Sequence, residues 1–139
     1  MVVKILKSTF DGIIKHAESG YPEEVCGVLI GNDETINEFR KCRNLNRGRA
    51  KDRYELDPIS FQEADNWARI NHQDIIGIYH SHPDHPSLPS EVDRSNAWPD
   101  WIYIIFSINN GDFNDARAWF LEENKSNFKE NLIELIKES

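Results

Sequence analysis

Apolar residues at the start of the chain have the spacing of a short strand followed by a helix. Residues 2–6 are long enough for a strand, and the apolar positions after them recur every three or four residues, as on one face of a helix. Ser8 is the predicted N-cap of this helix and Gly20 its predicted end. The apolar face of the predicted helix comprises Phe10, Ile13, Ile14 and Ala17.

The next segment predicts a buried strand and a returning strand. Residues 25–30 (VCGVLI) are continuously apolar, which is typical of a strand covered on both faces. Residues 31–33 (GND) predict a turn, and residues 35–45 predict the returning strand. Residues 46–53 are polar and contain a glycine, so we interpret them as a mobile loop.

A second helix is predicted to begin at Pro58. The carboxylate of Asp57 is suited to an N-cap, and proline is favoured at the first helical position because its missing N–H would have no partner there. One face of this helix is apolar and consists of Phe61, Ala64, Trp67 and Ala68.

The second half of the chain predicts further strands and a short helix. Residues 75–79 form a strand that ends at His80, a loop with three prolines follows, and Ser90 opens the helix. Residues 101–108 and 116–121 are predicted strands. Because strands and helices interleave, we expect an α/β fold with helices packed on both faces of a sheet.

The composition is that of an ordinary soluble protein. With 139 residues, 39% of them apolar and 29% charged, we expect one domain spanning residues 1–139, although the tail after about residue 122 is compatible with a helix or a strand. No apolar run approaches the roughly 20 residues that cross a bilayer, so no membrane is expected as a partner. Residues 1–10 lack the pattern of a signal peptide. We therefore expect a cytoplasmic protein in which Cys26 and Cys42 are reduced.

The formal net charge of −8 argues against nucleic acid as a partner, because phosphate would be repelled. The charge is uneven, since residues 40–53 carry +6 and the remainder of the chain −14. Such a stretch is most often a solvated loop, but it could also contact an acidic patch on a protein substrate. Its basic residues are Arg40, Lys41, Arg43, Arg47, Arg49, Lys51 and Arg53.

The candidate chemistry lies between His80 and Asp93. Side chains two residues apart project from the same face of a strand, so His80 and His82 can bind one cation together while Ser81 points away. The prolines after His82 must take the chain out of a central strand. A loop of this length can return as a helix whose first turn, with Asp93, lies over the two histidines.

Two histidines and one carboxylate are typical of a catalytic zinc site. A structural zinc ion usually has four protein ligands, whereas three leave a position for water. Zinc lowers the pKa of that water to about 7, and a nearby glutamate could take its proton. Each part also has a simpler explanation, since a His-x-His pair can be a surface feature and Ser90-x-x-Asp93 resembles a capping box. Their convergence favours the metal site.

The same segment resembles the signature of the JAMM (MPN+, JAB1/MPN/Mov34) zinc metalloproteases. His80-Ser81-His82-Pro83 is followed after six residues by Ser90, and Asp93 lies three positions later, as in the family pattern HS/THPx6SxxD. The resemblance extends to residues 21–27 (YPEEVCG) and 54–58 (YELDP) and covers most of the chain. It is strongest with the small stand-alone prokaryotic members.

The resemblance implies a fold, a cofactor and residue roles. The fold would be the JAMM α/β type, which is cytidine-deaminase-like, with a curved, mixed, mostly antiparallel sheet and helices on its faces. Glu24 would polarise the attacking water and pass its proton to the leaving amine, and Ser90 would donate a hydrogen bond to the oxyanion. One Zn²⁺ per chain would be bound by His80, His82 and Asp93.

Glu23 is the alternative to Glu24 for the acidic catalytic role. The family places its glutamate three residues before a glycine, which here is Gly27, and this spacing favours Glu24. Glu23 is then explained as a solvated surface charge. The residues alone do not distinguish the two.

The resemblance also implies a function. The reaction would be hydrolysis of a peptide or isopeptide bond at the C-terminus of a ubiquitin-like or sulfur-carrier protein, which would be the partner. One alternative is a non-proteolytic zinc amidohydrolase on the same scaffold, or a relative of the DNA-repair-associated members. The other is a non-catalytic MPN-type binding module, against which stands the complete set of metal ligands. The oligomeric state is left open.

Other candidates have simpler explanations. His85 in the proline-rich loop could touch substrate, but a solvated loop residue explains it as well. Cys26 is better explained as a small core residue than as a nucleophile. Positions without a predicted chemical role are His16 and His72 on helix surfaces, and Trp98 and Trp101 in core and helix-end packing.

Overall fold

The computed structural model describes residues 2–33, 35–46, 54–122 and 127–137. It shows a mixed α/β fold, as predicted, in which strands dominate. The elements in chain order are β1 (Val2–Leu6), α1 (Lys7–Gly20), β2 (Cys26–Asn32), β3 (Thr35–Cys42), α2 (Pro58–Ile70), β4 (Asp74–Pro83), α3 (Glu91–Asn96), β5 (Ile102–Asn109), β6 (Asp112–Leu121) and β7 (Phe128–Ile136).

The strands form one sheet that closes into a barrel in the order β1-β3-β2-β4-β5-β6-β7. We predicted a curved sheet; the sheet is mixed, but it is closed because β7 pairs in parallel with β1 from Val2↔Leu132 to Leu6↔Ile136. The tail that was compatible with helix or strand is therefore the strand that closes the barrel. Strands β4 and β5 are also parallel. By contrast, β2 and β6 each run antiparallel to both of their neighbours.

Helices cover both faces of β2, which confirms the prediction of a strand buried on both sides. Leu29 belongs to the core that contains the apolar face of α1, whereas Val28 and Ile30 pack with Ala64 and Ala68 of α2. This alternation follows from the pleat, because successive side chains of a strand point to opposite faces. Two cores thus share one central strand.

The start of α2 is as predicted, while the start of α1 is not. Asp57 accepts a hydrogen bond from the N–H of Ile59, and Pro58 occupies the first turn. In α1, by contrast, the N-cap is Leu6, without a side-chain cap, and Ser8 already lies within the helix. The reason is that β1 runs directly into α1, so barrel packing rather than a capping side chain fixes where the helix begins.

The predicted turn at residues 31–33 is shorter than expected. Gly31 and Asn32 still pair with β3, and of these three residues only Asp33 leaves the strand, with φ of 55°. Residues 47–53, most of the predicted mobile loop, lie outside the described residues. Within the described ranges, no helix combines the length and apolar character needed to span a membrane.

His16 was expected on a helix surface but is more than half buried. Its Nδ1 lies 2.7 Å from the hydroxyl of Tyr79, which is fully buried. Burial, followed by the charge of Lys41, lowers the pKa of His16 from 6.5 to about 4. Burial raises the pKa of Tyr79, so its hydroxyl keeps its proton and donates to a neutral imidazole.

This burial predicts a pH dependence of folding. Between pH 6.5 and about 4 the unfolded chain binds a proton at His16 that the folded protein does not, so the free energy of unfolding should fall as pH falls through this window. His16→Gln, which cannot protonate, should lose less stability than the wild type between pH 7 and pH 5. The measurement is denaturant unfolding of the metal-free proteins at both pH values. The exposed His72→Gln is the control, and equal pH dependence of wild type and His16→Gln would contradict the assignment.

Candidate metal centre

Strand β4 carries both histidines of the motif on one face. We predicted that the strand ends at His80, but it continues to Pro83, paired in parallel with β5 as far as Pro83↔Ile108. Proline is tolerated at this last pair because the strand ends there. His80 and His82 are both buried, and their ring centroids are 5.0 Å apart. The predicted projection of the two imidazoles from one face of a strand is therefore confirmed.

Helix α3 returns Asp93 to the histidines, as the spacing predicted. Ser90 is the N-cap, its hydroxyl accepts the N–H of Asp93 at 3.0 Å, and the Asp93 carboxylate accepts the N–H of Ser90 at 2.8 Å. The capping box and the approach to the histidines thus occur together. The Asp93 carboxylate therefore caps the start of α3 and also faces the two imidazoles.

Glu24 lies just before β2 and is buried, whereas Glu23 is exposed. Cys26 pairs with His80 across β2 and β4, which brings the preceding Glu24 beside the same histidine. Oε1 of Glu24 lies 3.3 Å from Nδ1 of His80. Gly27 is required here because a Cβ atom would overlap the ring of Tyr79. This contact with Tyr79 explains why the residue three positions after Glu24 is a glycine.

The polar atoms of the cluster lie at distances that suit a shared metal ion. Oδ1 of Asp93 lies 3.5 Å from Nε2 of His80, and Oδ2 lies 3.1 Å from Nε2 of His82. Donor atoms that share a tetrahedral zinc ion at bond lengths of about 2.0–2.2 Å lie roughly 3.3 Å apart. The side chains of Glu24, His80 and His82 also offer donor atoms within 4.8 Å of one another. Two carboxylates thus face the histidine pair.

The hydrogen bonds of His82 show why a cation belongs in the site. Nδ1 of His82 lies 2.8 Å from the carbonyl oxygen of Pro86, which can only accept, so Nδ1 carries a proton. In the neutral imidazole Nε2 is then an acceptor, and it faces the Asp93 carboxylate, also an acceptor. Two buried acceptors at this distance need a proton or a metal ion between them. A backbone carbonyl at the second nitrogen is also the usual arrangement of a metal-binding histidine.

The electrostatics of the cluster favour positive charge. Burial alone lowers the pKa of His80, but the carboxylates of Asp93 and Glu24 outweigh burial and raise it. For Asp93, burial raises the pKa, but the two imidazoles and the Ser90 N–H outweigh burial and hold the pKa below its usual range. Oε1 of Glu24 and Nδ1 of His80 remain buried without a hydrogen bond. These two atoms face each other at 3.3 Å, on the side of the His80 ring opposite to the Nε2 atom that faces Asp93.

Residues that the sequence analysis did not single out hold the loop between His82 and Ser90. The pattern carried no signal for them, because each bond joins positions far apart in the chain. Ser107 donates to the carbonyl oxygen of His85, Ser87 donates to Asp115, and Trp119 donates to the carbonyl oxygen of Ser87. Through these bonds, β5 and β6 fix where the chain returns to the metal centre.

Ser81 also has a role that the sequence analysis missed. It points away from the imidazoles, as predicted, and its buried hydroxyl accepts the N–H of Val25 at 2.9 Å. Its own N–H donates to the carbonyl oxygen of Val25. The serine of the motif therefore ties β4 to the residue that follows Glu24.

All but one of the remaining candidates lie where the simpler explanations place them. His85 is exposed in the loop, and His72 is exposed just after α2. Cys26 and Cys42 are buried and unpaired, and burial raises their pKa values to about 12 and about 11, so neither is a ready nucleophile. Trp101 packs with Phe61, but Trp98 is 63% exposed rather than core.

A cleft of about 340 Å³ opens beside the metal centre. Its lining combines two of the catalytic candidates with apolar loop residues, so a substrate could reach the buried polar atoms from this side. The lining residues are Glu24, His82, His85, Pro86, Leu88 and Ser90. Of the basic stretch at 40–53, residues 47–53 lie outside the described part of the chain.

Known proteins share both the sequence pattern and the fold. Residues 6–122 match the family described as prokaryotic homologs of the JAB domain. The chain is 38% identical over 107 residues to the desampylase of Haloferax volcanii, covering 70% of this chain and 74% of that protein. It is 28% identical over 121 residues to the CysO-cysteine peptidase of Mycobacterium tuberculosis, covering 85% and 82% of the two chains. A solution structure from Desulfitobacterium hafniense has a TM-score of 0.83 at 25% identity and covers 99% of this chain and 94% of that chain.

The fold and the buried cluster of histidines and carboxylates define a JAB-type hydrolase of the peptidase class. The chain belongs to the prokaryotic homologs of the JAB domain. This confirms the resemblance seen in the motif.

Proposed function

We propose that this protein is a zinc-dependent peptidase or isopeptidase, with one Zn²⁺ per chain bound by His80, His82 and Asp93. The observation that carries the proposal is the buried pair of acceptors formed by Nε2 of His82 and the Asp93 carboxylate. Asp93 is the preferred third ligand because its two oxygens face the same ring atom, Nε2, of both histidines. Glu24 faces only His80, and through the opposite nitrogen.

Zinc, when bound, would polarise the scissile carbonyl and lower the pKa of the attacking water. The Glu24 carboxylate would accept the proton of that water and deliver it to the nitrogen of the leaving amine. The Ser90 hydroxyl accepts the N–H of Asp93, so its own proton is available to the oxyanion of the tetrahedral intermediate. Glu24 and Ser90 line the same cleft, which supports their joint action on one substrate.

We propose a ubiquitin-like or sulfur-carrier protein as the substrate, cleaved at its C-terminal amide. The support is the similarity to a desampylase and to a CysO-cysteine peptidase, at 38% and 28% identity. The most direct experiment incubates the zinc-loaded protein with ubiquitin-like conjugates from the same cell and identifies the products by mass spectrometry. Release of an intact ubiquitin-like protein with a free C-terminus is expected.

The zinc content of the purified protein separates this proposal from a non-catalytic module. One zinc ion per chain is expected for the enzyme, whereas a binding module that uses the fold as a scaffold has no need of the ion. A protein that binds zinc but leaves all amide conjugates of ubiquitin-like proteins intact would instead favour a small-molecule amidohydrolase.

Ser90→Ala should affect stability and turnover separately. Loss of the N-cap should cost about 0.5–2 kcal/mol of stability. Loss of the oxyanion donor should cost about 2.7–4 kcal/mol of transition-state stabilisation, a 10²–10³-fold fall in kcat. Ser90→Thr keeps the hydroxyl and should retain part of both. The measurements are the melting temperature and kcat of the three proteins, and a lower melting temperature with unchanged kcat would leave Ser90 as a cap only.

A further inference from the structure

The ring of Tyr54 lies against the imidazole of His80 in the metal centre. The ring centroids are 4.5 Å apart and the planes differ by 26°, which is a stacked arrangement. His80 is 1% exposed, so the tyrosine ring forms part of the wall that separates the imidazole from water. The proposed reaction gives Tyr54 no chemical role.

The segment that carries Tyr54 is fixed to the end of β3. The N–H of Leu45 donates to the carbonyl oxygen of Glu55 at 2.8 Å, and the N–H of Asp57 donates to the carbonyl oxygen of Arg43 at 3.0 Å. These two bonds flank the isolated bridge Asn44↔Leu56. Tyr54 therefore directly precedes backbone that is paired with residues 43–45, which limits where its ring can lie.

One side chain, Asn44, connects this segment to Glu24. Its Oδ1 accepts the N–H of Glu55 at 2.9 Å, and its Nδ2 donates to the carbonyl oxygen of Glu24 at 3.1 Å. The same amide thus sets the backbone next to Tyr54 and the backbone of the proposed proton carrier. A displacement of one would be transmitted to the other.

An imidazole on a strand can rotate about two side-chain torsions, and zinc binding requires that Nε2 point at the ion. The plane of the His80 ring is constrained by the stacked tyrosine, since a rotation of the imidazole would drive its edge into the phenol ring. Residues outside the ligand set that orient metal-binding histidines typically change metal affinity by about 10–100-fold when mutated. Tyr54 has the geometry for such a role, although it orients His80 by stacking rather than by a hydrogen bond.

We propose that Tyr54 is a positioning residue of the metal centre, whose ring fixes the plane of His80 and whose neighbour Glu55 is held by Asn44. The inference rests on the metal site of the proposed function. It assigns to Tyr54 a contribution to zinc binding that the His-x-His…Asp motif does not contain.

The experiment measures zinc affinity by competition with a chromophoric chelator. Tyr54→Met and Tyr54→Leu, which keep an apolar side chain but lack a planar ring, should bind zinc about 10-fold more weakly than the wild type. Tyr54→Phe, which keeps the ring, should bind within twofold of the wild type. The absorption bands of the Co²⁺-loaded proteins should shift in the Met and Leu variants and stay unchanged in the Phe variant, because the ligand field reports the orientation of His80.

Phe61→Leu is the matched control for a general loosening of the core. Phe61 is also a partly buried aromatic residue, but it stacks on Trp101 rather than on a metal ligand. It should lower the melting temperature of the metal-free protein and leave zinc affinity unchanged. Wild-type zinc affinity in the Tyr54→Met and Tyr54→Leu variants, or an equal loss in Phe61→Leu, would overturn the inference.

Two further outcomes are decisive. If neither ringless variant folds while Tyr54→Phe does, Tyr54 is a structural residue and its assignment to the metal centre is wrong. If the wild type itself binds no zinc, the proposed function fails before the variants are compared. Failure of the inference and failure of the function therefore give different results.

Discussion

Asp93→Asn should remove zinc from the protein and leave helix α3 in place. The asparagine amide keeps an oxygen that can accept the N–H of Ser90, so the capping box survives. It loses the negative charge that faces Nε2 of His80 and of His82, and a neutral amide is a much poorer zinc ligand than a carboxylate. We expect less than a tenth of wild-type zinc content after dialysis and no measurable peptidase activity. Zinc content is measured by elemental analysis, and helix retention by the melting temperature of the metal-free protein.

The matched control for Asp93→Asn is Glu91→Gln in the same turn of α3. Glu91 is exposed and pairs with Arg94 rather than with the histidines. Its substitution removes the same charge and should leave zinc content and activity unchanged. His80→Ala should lose zinc as Asp93→Asn does. Full zinc occupancy in both ligand variants would show that the proposed ligands are wrong.

Glu24→Gln should keep zinc and lose most turnover. Removal of a general base typically lowers kcat by about 10²–10⁴-fold. Glutamine has the size of glutamate, and the carbonyl oxygen of residue 24 still accepts from Asn44, so the backbone should not move. The measurements are kcat on a conjugate substrate and zinc affinity. Glu23→Gln is the control, since Glu23 is exposed and should contribute little to either quantity.

The contact between Glu24 and His80 allows a second role, which the same variant distinguishes. Oε1 of Glu24 lies 3.3 Å from Nδ1 of His80, and a carboxylate at the second nitrogen of a metal-binding histidine usually orients the ring. If Glu24 acted only in this way, Glu24→Gln would weaken zinc binding by about 10–100-fold and lower kcat only through lost metal. A fall in kcat at full zinc occupancy identifies the proton carrier. Wild-type kcat and zinc affinity together would exclude both roles.

The predictions that the sequence supported best depend on geometry within a few residues. The shared face of His80 and His82 follows from the two-residue period of a strand, and the capping box at Ser90 follows from the three-residue reach of a helix N-terminus. The sequence also predicted β1, β2 and the start of α2 from apolar period and capping. It failed at Ser8, because a capping residue predicts a helix start only where the chain enters from a loop. In this protein, a strand of the barrel enters the helix directly.

The local sequence pattern could not identify which glutamate, Glu23 or Glu24, lies beside His80. Only the resemblance to a family selected Glu24 over Glu23 from the sequence. In the structure, the pairing of Cys26 with His80 turns one of these neighbours inward beside the imidazole and leaves the other exposed. Both glutamates precede β2, so the two-residue period of the strand does not select between them, and the register of β2 against β4 sets which one meets His80. Register depends on the whole sheet.

The sequence by itself thus determined the α/β class, the face shared by the two histidines and the return of Asp93. Only the tertiary structure decided that the sheet closes through β7, that Tyr54 covers His80, and that Ser107 and Ser87 anchor the loop. The physical reason is separation along the chain. Period and capping are short-range and can be read from neighbouring residues, whereas these contacts join segments that packing of the two cores brings together.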